Sequence, residues 1–291
     1  MLHIGSHTVE TSNEDKLFFP EAGLTKGDLI DYYRRIAPVM LPHVEGRPLT
    51  LHRFPDGIEG DGFYQQTAPD YFPSWIDRAT LSKEDGTVAH PVCTTAAALV
   101  YLANQAAITL HAWLSRMEAP RQPDQLVVDL DPSGNDFDAV RTTAQHVRTA
   151  LEAHDLVAFV MTTGSSGVHV RAPLQRGPDF DTVRRVARRL AEQIAEAHPE
   201  QCTTEQRIAK RNGRVYLDTA RNAYGQTAVA PYSVRARPGA PIATPIDWEE
   251  LDRPELTPQR YTLRTIFRRL GQKDDPWAAM HQQARALPDG L

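Results

Sequence analysis

The sequence predicts an α+β protein, and three observations carry that expectation. Between Leu126 and Asp218, short β-branched runs alternate with longer stretches of helical periodicity in the order β-α-β-β-α-β. Ahead of that region, helical patterns are interrupted by irregular Pro/Gly segments rather than by strands of even length. The 22 prolines are scattered along the chain, as in ordered, loop-rich connections.

Taken in order, TKGDLIDYYRRIAPVMLPHV reads as a helix that starts after Thr25, with Leu29, Tyr32, Tyr33 and Ile36 on one face and Pro38 near its end. VCTTAAALVYLANQAAITLHAWL reads as a second helix followed by a segment that is either strand or helix. LVVDLD is a strand that ends in a Pro-Ser-Gly-Asn turn. Phe137, Val140, Ala144, Val147 and Leu151 then recur at helical spacing behind an Asp136 N-cap. LVAFVM is a second strand, TTGSSG a turn, and VHVRAP a third strand. Phe180, Val183, Val186, Leu190 and Ile194 mark another amphipathic helix, and RVYLD is the fourth strand. This is the ferredoxin-like or split βαβ order, in which the first strand lies between the third and fourth.

Composition narrows the function classes. With 41% hydrophobic and 24% charged residues in 291, the chain has a globular balance and the size of one large or two ordinary domains. No run approaches the roughly 18 apolar residues of a membrane span, and MLHIGSHTVE lacks the pattern of a secretory leader, so a cytoplasmic, nucleoid-associated protein without a membrane partner is expected. Cys93 and Cys202 are the only cysteines, which excludes a disulfide framework and a cysteine-based zinc site. The net charge of −5 argues against a polyanionic partner, but its distribution is polarised. From Arg207 to Arg237 there are seven Lys/Arg and a single acid, Asp218. Phosphate binding depends on that local field rather than on the total.

Three clusters point to chemistry. Asp129 and Asp131 are two apart on a strand, so both side chains leave on one face. Carboxylates that close raise one another's pKa unless a hard cation sits between them. A lone Asp-x-Asp is more often a solvated turn, but Asp218 ends another strand of the same sheet. Three acids on one face can hold two Mg²⁺ or Mn²⁺ ions for phosphoryl transfer. The turn Thr163-Gly164-Ser165-Ser166-Gly167, with His169 beyond it, offers hydroxyl, imidazole and backbone donors for phosphate, although an ordinary hairpin turn has the same composition. Arg235 and Arg237 are read as alternating strand residues suited to clamping a triphosphate. Phe63 and Tyr64 are read as a loop-borne aromatic pair for stacking on bases.

These residues sit in longer stretches that resemble a known family. DKLFFP, TKGDLIDYYRRIAPVMLPHVEGRPLTLHRFPDGIEGDGFYQQ, LANQAAITLHAWLSR, VVDLDP and TAVAPYSVRARPGAPIATPIDWEEL together are similar to the polymerase domain of the bacterial ATP-dependent DNA ligase D family, within the archaeo-eukaryotic primase superfamily. The resemblance covers nearly the whole chain. It implies a primase-polymerase fold: one catalytic unit over 1–291, with an N-terminal α/β part (1–120), a palm-like sheet (121–240) and a C-terminal extension (241–291) packed on the core. It also implies a metal triad of Asp129, Asp131 and Asp218, with manganese favoured. His111, Thr163, Ser165, Ser166, His169, Arg235 and Arg237 would bind the nucleotide. Lys16 and Lys26 would hold a downstream 5′-phosphate, and Phe63 and Tyr64 would pack on the template. Two departures stand out. Ser166 occupies the place of the family's turn lysine, with Thr163 in place of the leading serine, and His52 stands where relatives often carry lysine.

The expected activity is template-directed nucleotide transfer from NTP or dNTP onto DNA with gaps or ends bearing a 5′-phosphate. Gap filling, end fill-in and ribonucleotide preference follow from the resemblance. With no room for ligase or nuclease modules, a stand-alone polymerase working with a separate ATP-dependent ligase and end-binding proteins is expected. The alternatives are a de novo primase and a non-catalytic end-binding scaffold. The polar segment 82–90 is a candidate loop for contacting a second DNA end.

Overall fold

The computed structural model describes residues 1–83 and 85–288. It is α+β and divides into two units. The first comprises Met1–Glu118, Thr227–Ala243 and Tyr261–Lys273; the second comprises Ala119–Gln226, Thr244–Arg260 and Asp274–Leu291. The stretch beyond residue 240 is therefore shared between them.

In the first unit, the helix Lys26–Val44 begins at a capping box. Thr25 Oγ1 accepts from the Asp28 N–H, and the Asp28 carboxylate accepts from the Thr25 N–H at 2.7 Å. The expectation that the helix ends near Pro38 is corrected, because it runs through Pro38 and Pro42. Both prolines lie on the exposed face with Arg34 and Arg35. The carbonyls that lose a partner there open toward water, so the break is tolerated. The opposite face buries Leu29, Tyr32, Tyr33, Ile36 and Met40, each removing apolar surface worth roughly 1.5–3 kcal/mol. Both tyrosine hydroxyls find buried carbonyls, Tyr32 at Tyr232 O (2.6 Å) and Tyr33 at Ile108 O (2.7 Å).

The segment after helix Ala96–Asn104 is a strand, Ala107–Trp113, reached through Ala106 at φ 62°. It lies in an antiparallel sheet of order Thr227–Val229, Ala107–Trp113, Leu49–Arg53, Phe63–Gln65. Phe63 and Tyr64 are thus strand residues on opposite faces of an edge strand, instead of a loop-borne pair. Arg235 and Arg237 also depart from expectation. They lie in a hairpin loop between the isolated bridge partners Val234 and Ile242, where Arg237 N–H bonds Arg235 O and the chain turns at Pro238-Gly239.

The 82–90 segment is mostly paired strand: Asp77–Lys83 runs antiparallel to Gly86–Val92, with Ser82 opposite Thr87 and Lys83 opposite Gly86. Glu84, like residues 289–291, lies outside the described residues. Lys83-Glu84-Asp85-Gly86 has the Lys-x-Asp-Gly spacing of an adenylating ligase motif, but here Lys83 and Gly86 pair across a two-stranded antiparallel ladder.

The second unit is built on a six-stranded sheet of order Cys202–Thr203, Val215–Asp218, Gln125–Asp131, Val168–Pro173, Phe159–Thr162, Thr244–Ile246. Its inner four strands have the expected fourth-first-third-second order. Alternation sends Leu126, Val128, Leu130, Val168 and Val170 to one face, where all are buried. Helices Phe137–Glu152 and Phe180–Ala197 pack on this sheet, capped by Asp136 and Asp179. The other face is left for polar chemistry.

Candidate active site

Strand register assembles that face. Asp129 stands directly opposite His169 on one neighbouring strand and Asp218 on the other, while Asp131 stands opposite Tyr216. Directly opposed residues of an antiparallel pair share a face. The strand Val215–Asp218 ends where Gln125–Asp131 is still central, so a strand-final acid meets a mid-strand one. One oxygen from each of Asp129, Asp131 and Asp218 lies within 4.8 Å of the others, and Asp129 is 7% exposed. Burial, with Asp129 and then Asp218 adding to it, pushes the Asp131 carboxyl up to about 6, against the pull of Arg211 and Arg221. An all-oxygen, excess-negative cluster of this kind fits hard divalent cations such as Mg²⁺ or Mn²⁺, and these three residues would hold them.

The surroundings are fixed by groups outside the three acids. Asp218 accepts from the Ala220 N–H at 2.7 Å and lies 3.5 Å from the Tyr216 hydroxyl. Burial, followed by the Asp218 charge, pushes that phenol up to about 12, and the Arg211 guanidinium sits 4.3 Å over its ring. Arg221 brings Nε to 3.8 Å from Asp129 Oδ2. It is held there by a short 3₁₀ turn whose last residue, Asn222, is wholly buried. Asn222 Oδ1 accepts from Val127 N–H (2.9 Å) and its Nδ2 donates to Val127 O (2.7 Å), replacing a strand partner with a side-chain amide. Sequence reasoning singled out neither Arg221 nor Asn222 as a site residue. The signal available was their position three and four residues beyond Asp218.

The turn 163–167 closes beside the acids. Thr163 Oγ1 is used within it, donating to Gly167 O (3.0 Å) and accepting from the N–H groups of Ser165 and Gly167. Gly167 touches the central strand: a Cβ there would stand 1.9 Å from Leu130 O, between the two acidic positions. Ser165 is half-buried and Ser166 exposed, and Gln259 Nε2 reaches in to bond Ser165 O at 3.0 Å. His169 is 3% exposed, with Nε2 3.4 Å from Asp129 Oδ1. Burial holds its pKa below the ordinary value, outweighing the opposing pull of Asp129.

The remaining candidates lie in the first unit. His111, on Ala107–Trp113, makes an edge contact with the Tyr64 ring at 5.8 Å, and Tyr64 stacks on His52 at 4.1 Å. Burial lowers the His52 pKa, and the Arg235 charge adds to this. Phe63, on the other face, lies 5.4 Å from the Arg53 guanidinium. A cavity of about 190 Å³ is lined by Ser12, Asn13, Lys16, Lys26, Arg53 and Asn104, among others. Lys26 is buried at the start of helix Lys26–Val44, donating to Ser12 O (2.7 Å), and burial lowers its pKa. Lys16 is paired with Asp56 at 2.5 Å. Among the described residues, no helix is long and apolar enough to cross a membrane.

Comparison with known proteins follows this geometry. Residues 25–277 match the LigD primase-polymerase domain family. The multifunctional non-homologous end joining protein LigD of Mycolicibacterium smegmatis is 33% identical over 279 residues, covering 95% of this chain and 36% of the relative. The bifunctional LigD of Bacillus subtilis is 30% identical over 276 residues, 94% of this chain and 44% of the relative. The chain thus spans well under half the length of these relatives. The solved polymerase domain of Mycobacterium tuberculosis ligase D, in complex with DNA, superposes with a TM-score of 0.89 at 31% identity, covering 95% of this chain and 99% of that one. With a three-acid sheet face, a split βαβ order and a match over most of its length, the chain belongs to the LigD primase-polymerase domain family.

Proposed function

We propose that the chain is a template-directed polymerase that fills gaps and extends ends during DNA break repair by end joining. The observation that carries this reading is the convergence of Asp129, Asp131 and Asp218 within 4.8 Å on an open sheet face. Divalent ions bound there would lower the pKa of an attacking hydroxyl and offset charge on the transferring phosphoryl group. In the reaction, the 3′-oxygen of a DNA end forms a bond to the α-phosphorus of a nucleoside triphosphate, and the bond to pyrophosphate breaks. Positioning and charge neutralisation supply most of such catalysis.

The chain's own residues divide the remaining work. His169, Ser165 and Ser166 offer donors to the triphosphate, while Thr163 keeps the turn in shape. By the family resemblance, Arg235 and Arg237 of the first unit are assigned to the nucleotide's charge and His111 to its sugar. Tyr64 and Phe63 contact the template strand. Lys16 and Lys26, with Arg53 in the same cavity, take a downstream 5′-phosphate. The names of the relatives, which place LigD in non-homologous end joining, and a DNA-bound structural neighbour support a DNA-end substrate. A purely scaffolding role is disfavoured by the cost of keeping Asp131 near a pKa of about 6 beside two other acids without catalytic return.

The test is extension of a labelled primer on a gapped duplex, with and without a downstream 5′-phosphate, comparing Mn²⁺ with Mg²⁺ and ribonucleotides with deoxynucleotides. Templated addition stimulated by the 5′-phosphate, favouring Mn²⁺ and ribonucleotides, is expected. Absence of extension with either metal would sink the reading, and an unstimulated reaction that starts without primer would favour a de novo primase.

A further inference from the structure

The strand Val168–Pro173 carries a buried guanidinium that nothing above uses. Arg171 is 3% exposed and shares the site face of its strand with His169, two residues away. Its Nη2 stands 3.2 Å from His169 Nδ1. A guanidinium has donors only, so Nδ1 must accept. With Nδ1 accepting, the ring proton sits on Nε2, the atom 3.4 Å from Asp129 Oδ1.

We propose that Arg171 is a positioning residue that locks His169 in its Nε2–H tautomer, so that the imidazole donates into the acidic site and toward an incoming triphosphate. In the opposite tautomer a lone pair would face a carboxylate or phosphate oxygen, which repels where the lock attracts. Arg171 is itself held from two sides. Its Nη1 donates to Gln125 Oε1 at 3.1 Å, and its Cζ lies 5.6 Å from the Trp277 ring. Trp277 is anchored by its Nε1–H on Val160 O at 3.1 Å and by an edge contact with Phe159. A planar fork serves Gln125 and His169 at once, which a lysine ammonium at this position does less well. The triphosphate half of the proposal rests on the polymerase reading; the tautomer half does not.

The experiment is nitrogen-resolved NMR of histidine-labelled, metal-free protein, paired with equilibrium binding of a nucleoside triphosphate in the presence of Mn²⁺. In the wild-type chain His169 is expected to show a protonated Nε2 and a bare Nδ1. Arg171→Met, which keeps the length of the side chain and removes the donor, is expected to shift His169 toward Nδ1–H and to weaken triphosphate binding about tenfold. Arg171→Lys should restore part of both. A wild-type signal from Nδ1–H overturns the proposal without any variant, and remains decisive where Arg171→Met fails to fold. Unchanged tautomer and affinity in Arg171→Met overturn it as well, as does a tautomer that moves with no loss of affinity. A wild-type protein that binds no triphosphate, yet shows the tautomer shift, overturns the polymerase reading and leaves the lock standing.

Discussion

The acidic sheet of the second unit and the cationic cavity of the first concentrate charge of opposite sign by different means. The acids are placed by strand register: Asp129 faces Asp218 across a ladder, and Asp131 follows two residues on. No side chain has to reach. The cations come from separated positions, Lys16 before a helix, Lys26 at its first turn and Arg53 at a strand end, and each is tied to a local partner. Burial, and after it the register that sets like charges side by side, makes the acidic cluster costly, in line with the raised pKa of Asp131. The cavity tolerates its charges through Asp56 and the carbonyls of Ser12 and Gln105. A sheet can hold like charges against their repulsion because its backbone is already paid for by burial on the other face.

The comparison can be broken most forcefully at the acids. Asp131→Ala should lower primer extension by about a thousandfold or more, since several kcal/mol of charge stabilisation is lost, while DNA binding in a gel-shift assay is retained. Loss of DNA binding in parallel would mean that the acids serve folding instead of chemistry. Next in size is Gly167→Ala. Its Cβ would meet Leu130 O at 1.9 Å, so the central strand must shift between Asp129 and Asp131. A displacement of that kind should cost about 100-fold in turnover and about 1–3 kcal/mol in stability.

Asn222→Ala removes the amide that stands in for a strand partner of Val127 and should destabilise the chain by about 3 kcal/mol in chemical denaturation, with turnover falling as Arg221 loses its place. In the cavity the effects are smaller and salt-dependent. Lys26→Ala should reduce the preference for a 5′-phosphorylated gap about tenfold and lower the salt slope of binding by about one. Lys16→Ala should cost less, because Asp56 already shares its charge. Equal effects of the two would show that burial of Lys26 does not sharpen its role.

The smallest expected effect is a pH slope. In the metal-free protein Asp131 is held at about 6, above its ordinary 3.8, so between these values the folded chain binds a proton that the unfolded chain does not. Stability should therefore rise as pH falls through 6 toward 3.8, and Asp131→Asn should flatten that slope in thermal melts. Affinity for the divalent ion should fall over the same window, because the proton competes for the carboxylate.

Much of the second unit is legible in the residues alone. Period-2 and period-3.6 patterns, the Asp136 cap and the strand-final Asp218 follow local rules, and the split βαβ order makes the first strand a neighbour of the fourth. Local patterns set which residues alternate and where helices start, so they also set that Asp129, Asp131 and Asp218 share a face. They do not set what a helix can survive, and Pro38 and Pro42 are accommodated only because their side of the helix meets water. They also do not reveal that Arg235 and Arg237 sit on a hairpin loop, since the alternation of a short loop mimics that of a strand. Only the tertiary structure decides that Asn222 completes the ladder, that Gly167 must be glycine because a carbonyl lies against it, and that Arg171 determines which nitrogen of His169 carries the proton. Each depends on a partner far away in sequence or on the other side of a ladder, and the contact that matters is set by packing rather than by any local preference.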